Sequence, residues 1–249
     1  MQTDLPLLSQ TARPGLLLTR PAEQSARFAA AFGDRFGPGW KIVISPLTEL
    51  VVLHADLNLG GISTLIFTSE TAVTVFSRQS QNRSLPCWCV GARTADAARR
   101  AGFDDVRHGT GNATDLARAM IEGGVQGPCL HPRGVHAAWD MKNFLDSAGI
   151  ETHEVVLYDQ PSCPLTLRAR GLLSTPDPVI VPLFSPRAAS LAAAEMLGRR
   201  CPLWLAALSP AVADAAALLN AERLVTSIRP EAGAMLDALA QLTPADGSA

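Results

Sequence analysis

Leu65-Ile66-Phe67-Thr68-Ser69-Glu70-Thr71-Ala72-Val73 is the stretch whose reading decides the fold. An apolar, β-prone run ends in Thr-Ser, and a helical pattern begins at once. Ser69 is a natural N-cap, because its hydroxyl can accept from a backbone N–H two or three residues on. Glu70 then stands in the first turn, where the helix dipole favours a negative charge. A buried strand that runs straight into a capped helix leaves free N–H groups at the carboxyl end of a sheet. In open α/β folds that edge is where anionic ligands sit.

The pattern returns as Val181-Pro182-Leu183-Phe184-Ser185-Pro186-Arg187, with proline in the first helical turn. Each copy is followed by a second strand-turn-helix, Trp88-Cys89-Val90-Gly91-Ala92-Arg93-Thr94-Ala95 in one case and Trp204-Leu205-Ala206-Ala207-Leu208-Ser209-Pro210 in the other. Ser69 and Ser185 lie 185 − 69 = 116 positions apart, and Gly91 and Ser209 lie 209 − 91 = 118 apart. Two segments recurring at nearly one offset predict two similar halves, each with its own sheet.

Composition narrows the function classes. At 249 residues the chain is long enough for one large domain or two of roughly 120. A 47% apolar and 18% charged composition can fill real cores. A net charge of −2 and 5% aromatic residues do not suit a nucleic-acid surface, which needs a basic stripe with stacking rings. No apolar run approaches the roughly 20 residues of a membrane helix. Residues 1–14 lack the basic and apolar regions of a signal peptide, so a cytoplasmic protein is expected. Five cysteines at irregular spacing make a poor disulfide framework and read as buried or half-buried thiols. His131 and His136 could meet at one loop, but without metal-ligand spacing, and no metal is expected.

Along the chain, strand and helix alternate. Strands are predicted over 15–19, 40–45, 87–90, 105–107, 128–131, 151–158 and 223–226, besides the two repeated runs. Helices are predicted from Pro21 to about Arg35 and over 70–78, 94–101, 113–121, 136–147, 165–173 and 231–241. Alternation of this kind argues α/β with parallel sheets. The first β-α-β, Gly15–Ser45, lies outside the first repeat, and the second repeat has no such unit directly ahead of it. The simplest arrangement puts Gly15–Ser45 with the C-terminal half. Domain one is then discontinuous, 1–46 plus 162–249, and domain two, 47–161, is inserted. The crossings fall near Leu47–Leu53 and Tyr158–Ser162.

Chemistry-bearing residues gather at predicted strand ends. Thr68, Ser69, Gly91, Thr94, Ser185 and Ser209 stand at helix starts, where hydroxyls and backbone N–H groups can hold carboxylates without a basic surface. Each alone is also explained as a cap. The loop Gly109–Thr114 is a fifth such place, but it has neither a dinucleotide glycine fingerprint nor a P-loop Lys-Ser/Thr. Arg20, Arg93, Arg133 and Arg187 each follow a strand end, and arginine suits paired carboxylate recognition. Tyr158, the only tyrosine, ends a strand at a domain crossing and is a candidate proton donor. No nucleophile elbow, HExxH or Ser-His-Asp pattern is visible.

In their order and spacing, Leu17-Leu18-Thr19-Arg20-Pro21, Ile66-Phe67-Thr68-Ser69, Val90-Gly91-Ala92-Arg93-Thr94-Ala95 with Gly102, Arg133-Gly134, Val156-Leu157-Tyr158 and Phe184-Ser185-Pro186 resemble the uroporphyrinogen-III synthase family. The resemblance spans roughly residues 16–213. It implies an α/β protein of two parallel-sheet, flavodoxin-like domains joined by a two-stranded β-ladder, the first domain discontinuous, with a cleft between them and no cofactor. Its implied ligands are hydroxymethylbilane and uroporphyrinogen III, bound by a monomer. Ser69, Thr94, Tyr158 and Ser185 match positions of that cleft. One turn departs: where the family often reads Gly-Pro-Thr-Thr-Ala, this chain has Ser209-Pro210-Ala211-Val212-Ala213, without either threonine.

The implied reaction closes the linear tetrapyrrole and inverts its terminal ring D. Hydroxide departs to leave a stabilised cation, which attacks the substituted carbon of ring D through a spiro intermediate. The substrate supplies the reactivity, so orientation should dominate catalysis. Tyr158 would assist the departing hydroxyl, while Arg20, Thr68, Ser69, Gly91, Arg93, Thr94, Arg133, Ser185 and Ser209 would hold acetate and propionate groups. The rival reading is a non-catalytic tetrapyrrole-binding or sensor protein of the same architecture. A Rossmann-type oxidoreductase is weaker still, for want of the glycine fingerprint.

Overall fold

The computed structural model describes residues 13–137, 139–229 and 232–243. In chain order the elements are β1 (Gly15–Leu18), α1 (Ala22–Phe36), β2 (Ile42–Ile44), β3 (Val51–Val52), β4 (Thr64–Phe67), α2 (Glu70–Gln79), β5 (Cys87–Cys89), α3 (Ala92–Arg100), β6 (Val106–His108), α4 (Ala113–Glu122), β7 (Cys129–Gly134), α5 (Met141–Ser147) and β8 (Thr152–Asp159). There follow α6 (Leu167–Leu173), β9 (Val179–Leu183), α7 (Pro186–Glu195), β10 (Leu203–Ala207), α8 (Pro210–Ala215), β11 (Arg223–Thr226) and α9 (Ala232–Ala240). The start predicted for the last helix, Glu231, and most of the polar tail lie outside the described residues.

The chain forms two compact units. One comprises Met1–Glu49 and Ser162–Ala249, the other Leu50–Pro161. In the first unit a five-stranded sheet has the order β11-β10-β9-β1-β2, every pair parallel. The second holds a six-stranded sheet, β3-β8-β7-β4-β5-β6, parallel except where the short β3 runs against β8. Around the crossings the chain pairs antiparallel, Thr48 with Ser162 and Val51 with Asp159.

Counted along the chain, the first sheet reads 2-1-3-4-5, the flavodoxin order, and the parallel part of the second reads 3-2-1-4-5. Both describe one arrangement entered at different strands. If β9, β10 and β11 are matched to β4, β5 and β6, then β1 and β2 fall on β7 and β8, and the two orders coincide. The first unit therefore begins with its fourth and fifth strands. Register extends the match to residues. Leu16 pairs with Ile180 as Cys129 pairs with Thr64, and Leu16 with Ile42 as Cys129 with Thr152. Leu18 thus corresponds to His131, Arg20 to Arg133, and Ile44 to Glu154.

Central strands buried on both faces require unbroken apolar runs, and β4, β9 and β10 are buried at every residue. In the second unit Phe67, Phe76 and Phe103 meet with ring centroids 5.7–6.2 Å apart. Each fully buried ring contributes about 1.5–3 kcal/mol relative to exposure. In the first unit Phe28 and Phe32, one turn apart on α1, join Leu16, Leu18 and Ile180 in the core. Gly37, at φ 74°, stops α1 in the left-handed region that favours glycine.

Two elements differ from the sequence expectation. The strand predicted over 128–131 continues to Gly134. Past Leu130, β7 pairs only with β8, so the missing N–H of Pro132 is tolerated at the end of the β4 ladder. The helix predicted from His136 begins at Met141, because Asp140 caps it by accepting from Asn143 N at 3.0 Å.

The repeat makes a stability prediction. Ser69 and Ser185 cap α2 and α7 alike, accepting from Ala72 N at 2.9 Å and Ala188 N at 3.1 Å. Ser185→Ala should cost about 1 kcal/mol in urea denaturation. Ser69→Ala should cost measurably more, since its hydroxyl has a second partner; equal losses would mean that this partner contributes nothing.

Candidate active site

The second partner of Ser69 is Tyr158. Ser69 follows the carboxyl end of β4, Tyr158 lies near the carboxyl end of β8, and β7 runs between those strands. Ser69 Oγ and the Tyr158 hydroxyl stand 3.0 Å apart. Tyr158 is 7% exposed. Burial pushes its phenol pKa up, opposed by the Ser69 hydrogen bond, so the hydroxyl stays protonated through the neutral range.

The ring has room because of Gly134. The β7–β8 register shifts between Arg133 and Gly134, so Arg133 pairs with Val156 and Gly134 with Tyr158. A Cβ on Gly134 would lie 2.5 Å from Tyr158 Cε2 and 2.9 Å from Cζ. Glycine is needed at this position for close approach, not for an unusual backbone angle.

A second polar chain lies beside the first. Thr68 Oγ1 is 3.1 Å from His131 Nε2 on β7. His131 is 2% exposed, and its Nδ1 stands 3.4 Å from Glu154 Oε1 on β8. Arg133 Nε approaches the other Glu154 oxygen at 2.9 Å. These approaches are electrostatic, since neither His131 Nδ1 nor Arg133 Nε has a partner in hydrogen-bond geometry. The His131 contact first, and Arg133 after it, hold the Glu154 carboxyl down to about 2. Arg133 Nη1 donates to the carbonyls of Gly134 and Val135. This guanidinium is thus tied into the strand end.

The other sequence candidates are placed as follows. Gly91 caps α3, and a Cβ there would meet Gly111 Cα at 3.2 Å, which brings the Gly109–Thr114 loop over the end of β5. That loop's side chains are already committed: Thr110 Oγ1 and Asn112 Nδ2 both donate to Asp115, at 2.8 and 2.7 Å. Thr94 is 5% exposed. Arg93 lies 3.5 Å from Glu70. In the first unit Arg20 lies over the Phe184 ring at 4.2 Å, and Ser185 caps α7. Ser209 caps α8 without a side-chain bond. His136 is 3.8 Å from Asp159, not beside His131. Among the described residues, no cluster of three or more His, Cys, Asp or Glu could hold a metal, and no helix is long and apolar enough to cross a membrane. The buried Cys89 and Cys129 thiols are pushed up to about 12 and about 11 by desolvation. A cavity of about 260 Å³ lined by Arg170, Glu195 and Arg199 lies at the carboxyl ends of α6 and α7, not at the strand ends.

Residues 31–237 match the family model described as uroporphyrinogen-III synthase HemD. The chain belongs to the uroporphyrinogen-III synthase family. Its activity is therefore the cyclising, lyase-type reaction of tetrapyrrole biosynthesis, from hydroxymethylbilane to uroporphyrinogen III. Among solved structures the chain is similar to uroporphyrinogen-III synthetase from Helicobacter pylori, at 15% identity, TM-score 0.67 and coverage of 92% of this chain and 99% of that one. It is also similar to a mutant uroporphyrinogen III synthase from Thermus thermophilus, at 14% identity, TM-score 0.54 and coverage of 91% and 98%. At such identities these likenesses speak for the fold. No curated protein sequence matches significantly.

Sequence reasoning weighed His131 only beside His136, and missed its link to Thr68 and Glu154 and the steric role of Gly134. A signal was present in the i, i+2 spacing of His131 and Arg133, which puts both on one face of a strand.

Two outcomes follow from this geometry. Gly134→Ala should lose about 1–3 kcal/mol of stability through overpacking and should lower turnover as the Tyr158 ring shifts. Normal turnover in this variant would show the ring can move without consequence. Glu154 has a folded pKa depressed to about 2, so its contribution is fully present above about 4.5 and lost as pH falls towards about 2. Glu154→Gln should remove that part of the acid-side decline in melting temperature; an unchanged slope would show that the pairing contributes no stability.

Proposed function

We propose that Tyr158 is the proton donor of ring closure and that the carboxyl strand ends of both units hold the substrate's acetate and propionate groups. The observation that carries this reading is the buried Tyr158 hydroxyl fixed by Ser69 Oγ at 3.0 Å. Tyr158 gives its proton to the departing hydroxyl, which leaves as water. The resulting cation attacks the substituted carbon of ring D, and the spiro intermediate opens and rebonds with the ring reversed. The proton lost from the closing pyrrole restores the phenol, so the net change is loss of one water.

Around that step, Ser69, Gly91 and Ser185, with the first-turn N–H groups of their helices, take carboxylates as helix N-termini do. Arg20, Arg93, Arg133 and Ser209 stand at the same strand ends and add positive charge or a hydroxyl; Thr94 acts from beneath. The two compact units serve as domains, 1–46 with 162–249 and 47–161. The enzyme is read as a cytoplasmic monomer that works without cofactor, metal, nucleic acid or membrane. A non-catalytic tetrapyrrole binder would have no use for a desolvated phenol bonded to a capping serine.

The test is turnover of hydroxymethylbilane with resolution of the product isomers. Tyr158→Phe keeps the ring and removes one oxygen. Turnover should fall roughly ten- to a hundredfold, the low end for positioned proton transfer, because the cation is stabilised by the pyrrole. The residual product should remain mostly the III isomer. Wild-type turnover in Tyr158→Phe would reduce Tyr158 to packing, and a switch to the I isomer would make its hydroxyl the group that orients ring D.

A further inference from the structure

The chain Thr68–His131–Glu154 is not required by the fold. The corresponding positions of the first unit are Phe184, Leu18 and Ile44, so the same framework is built there with three apolar residues. Leu18 and His131 are both 2% exposed. One unit has therefore exchanged an apolar corner for a buried imidazole, a carboxylate and a hydroxyl. Burying polar groups costs free energy unless they are paired, and His131 Nδ1 is buried without hydrogen-bond geometry.

The imidazole has three states to choose between. Glu154 already faces Arg133 at 2.9 Å, so that pair is neutral in sum, and adding an imidazolium would bury one more charge. With the proton on Nε2, the Nδ1 lone pair would face the Glu154 carboxylate at 3.4 Å. With the proton on Nδ1, an N–H in place of that lone pair lies on the carboxylate's side, 3.4 Å away though outside hydrogen-bond geometry. Between the two neutral tautomers, Nδ1–H is therefore favoured, since it sets a hydrogen and not a lone pair towards the carboxylate. Nε2 is then an acceptor, and the Thr68 hydroxyl must donate to it across 3.1 Å. A hydroxyl has one proton and two acceptor lone pairs. With its proton committed, Thr68 presents only lone pairs, at a half-buried place beside the Ser69–Tyr158 pair.

We infer that Glu154 and His131 are positioning residues that make Thr68 an acceptor for an N–H donor of the substrate, a pyrrole N–H, and not a carboxylate-binding group. This rests on the proposed reading of the same strand ends as the substrate site, and it corrects the expectation that Thr68 holds an acetate or propionate. The arrangement also disfavours a carboxylate there, because acceptor would face acceptor. A tetrapyrrole carries its N–H groups on the inner side of the chain and its carboxylates on the outer side. One fixed acceptor among many carboxylate sites would set which face of a pyrrole turns towards Tyr158.

The test compares uroporphyrinogen III with its N-methylated analogue, which keeps every carboxylate, in binding to wild type, Thr68→Val and Thr68→Ser. Thr68→Val should weaken uroporphyrinogen III binding roughly three- to tenfold, the worth of one neutral hydrogen bond, with Thr68→Ser restoring it to within about twofold. For the N-methylated ligand, wild type and Thr68→Val should bind alike. Equal losses for the two ligands would overturn the inference, since Thr68 would then be meeting a carboxylate. Nitrogen-15 resonances of His131 in the ligand-free protein test the tautomer directly: a proton on Nδ1 is expected, and one on Nε2, or on both nitrogens at neutral pH, overturns the inference. Failure of wild type to turn over hydroxymethylbilane would instead sink the reading of the site as a whole, whatever the tautomer.

Discussion

Ser69 Oγ is the atom on which this structure turns. It ends a buried strand, closes the first turn of α2 by accepting from Ala72 N, and holds the Tyr158 hydroxyl. A hydroxyl can do all of this because it has one proton and two lone pairs. The capping bond fixes the rotamer of Ser69, and that rotamer fixes the phenol. A side chain held in this way has little entropy left to lose when another group meets it. Gly134 completes the constraint from the other side, since a Cβ there would lie 2.5 Å from the Tyr158 ring.

The duplicated architecture explains why hydroxyls recur at strand ends and why the two halves are not equivalent. Both sheets present the same strand order, and both place a capping serine after the first strand of the repeat. Beyond that, the corners differ. In the first unit Arg20 lies over the Phe184 ring, a cation on an apolar platform. In the second, Arg133 is drawn in by Glu154, and the position of Phe184 is taken by Thr68, bonded to His131. The first corner offers positive charge and the second offers directed hydroxyls.

How much of this was legible in the sequence depends on the range of the interaction. The caps at Ser69 and Ser185 were legible, because capping is decided within three residues. So was the alternation that gives parallel sheets. The start of α5 was not, because the stretch after His136 keeps a helical pattern and only Asp140, bonded to Asn143 N, marks the true cap. The extension of β7 through Pro132 was hidden by the habit of reading proline and glycine as loop. Tyr158 stood out as the only tyrosine, but its partner could not be read from 89 residues away. His131 and Glu154 were invisible as a pair because only the register of β7 on β8 sets them side by side. Burial was equally hard to read: Thr94 is buried, and the side chains of the Gly109–Thr114 loop bond to Asp115.

The chemistry helps explain why so short a set of side chains suffices. A leaving hydroxyl on a carbon next to a pyrrole needs little acid, because the ring stabilises the cation. What water cannot supply is one geometry for a flexible tetrapyrrole, and in the proposed reading that geometry comes from strand ends, helix N-termini and a few oriented hydroxyls. Backbone N–H groups do not depend on side-chain identity, so many sequences can provide such an edge. The contacts in this chain that have no substitute are the space at Gly134, the shared hydroxyl of Ser69 and the single phenol of Tyr158.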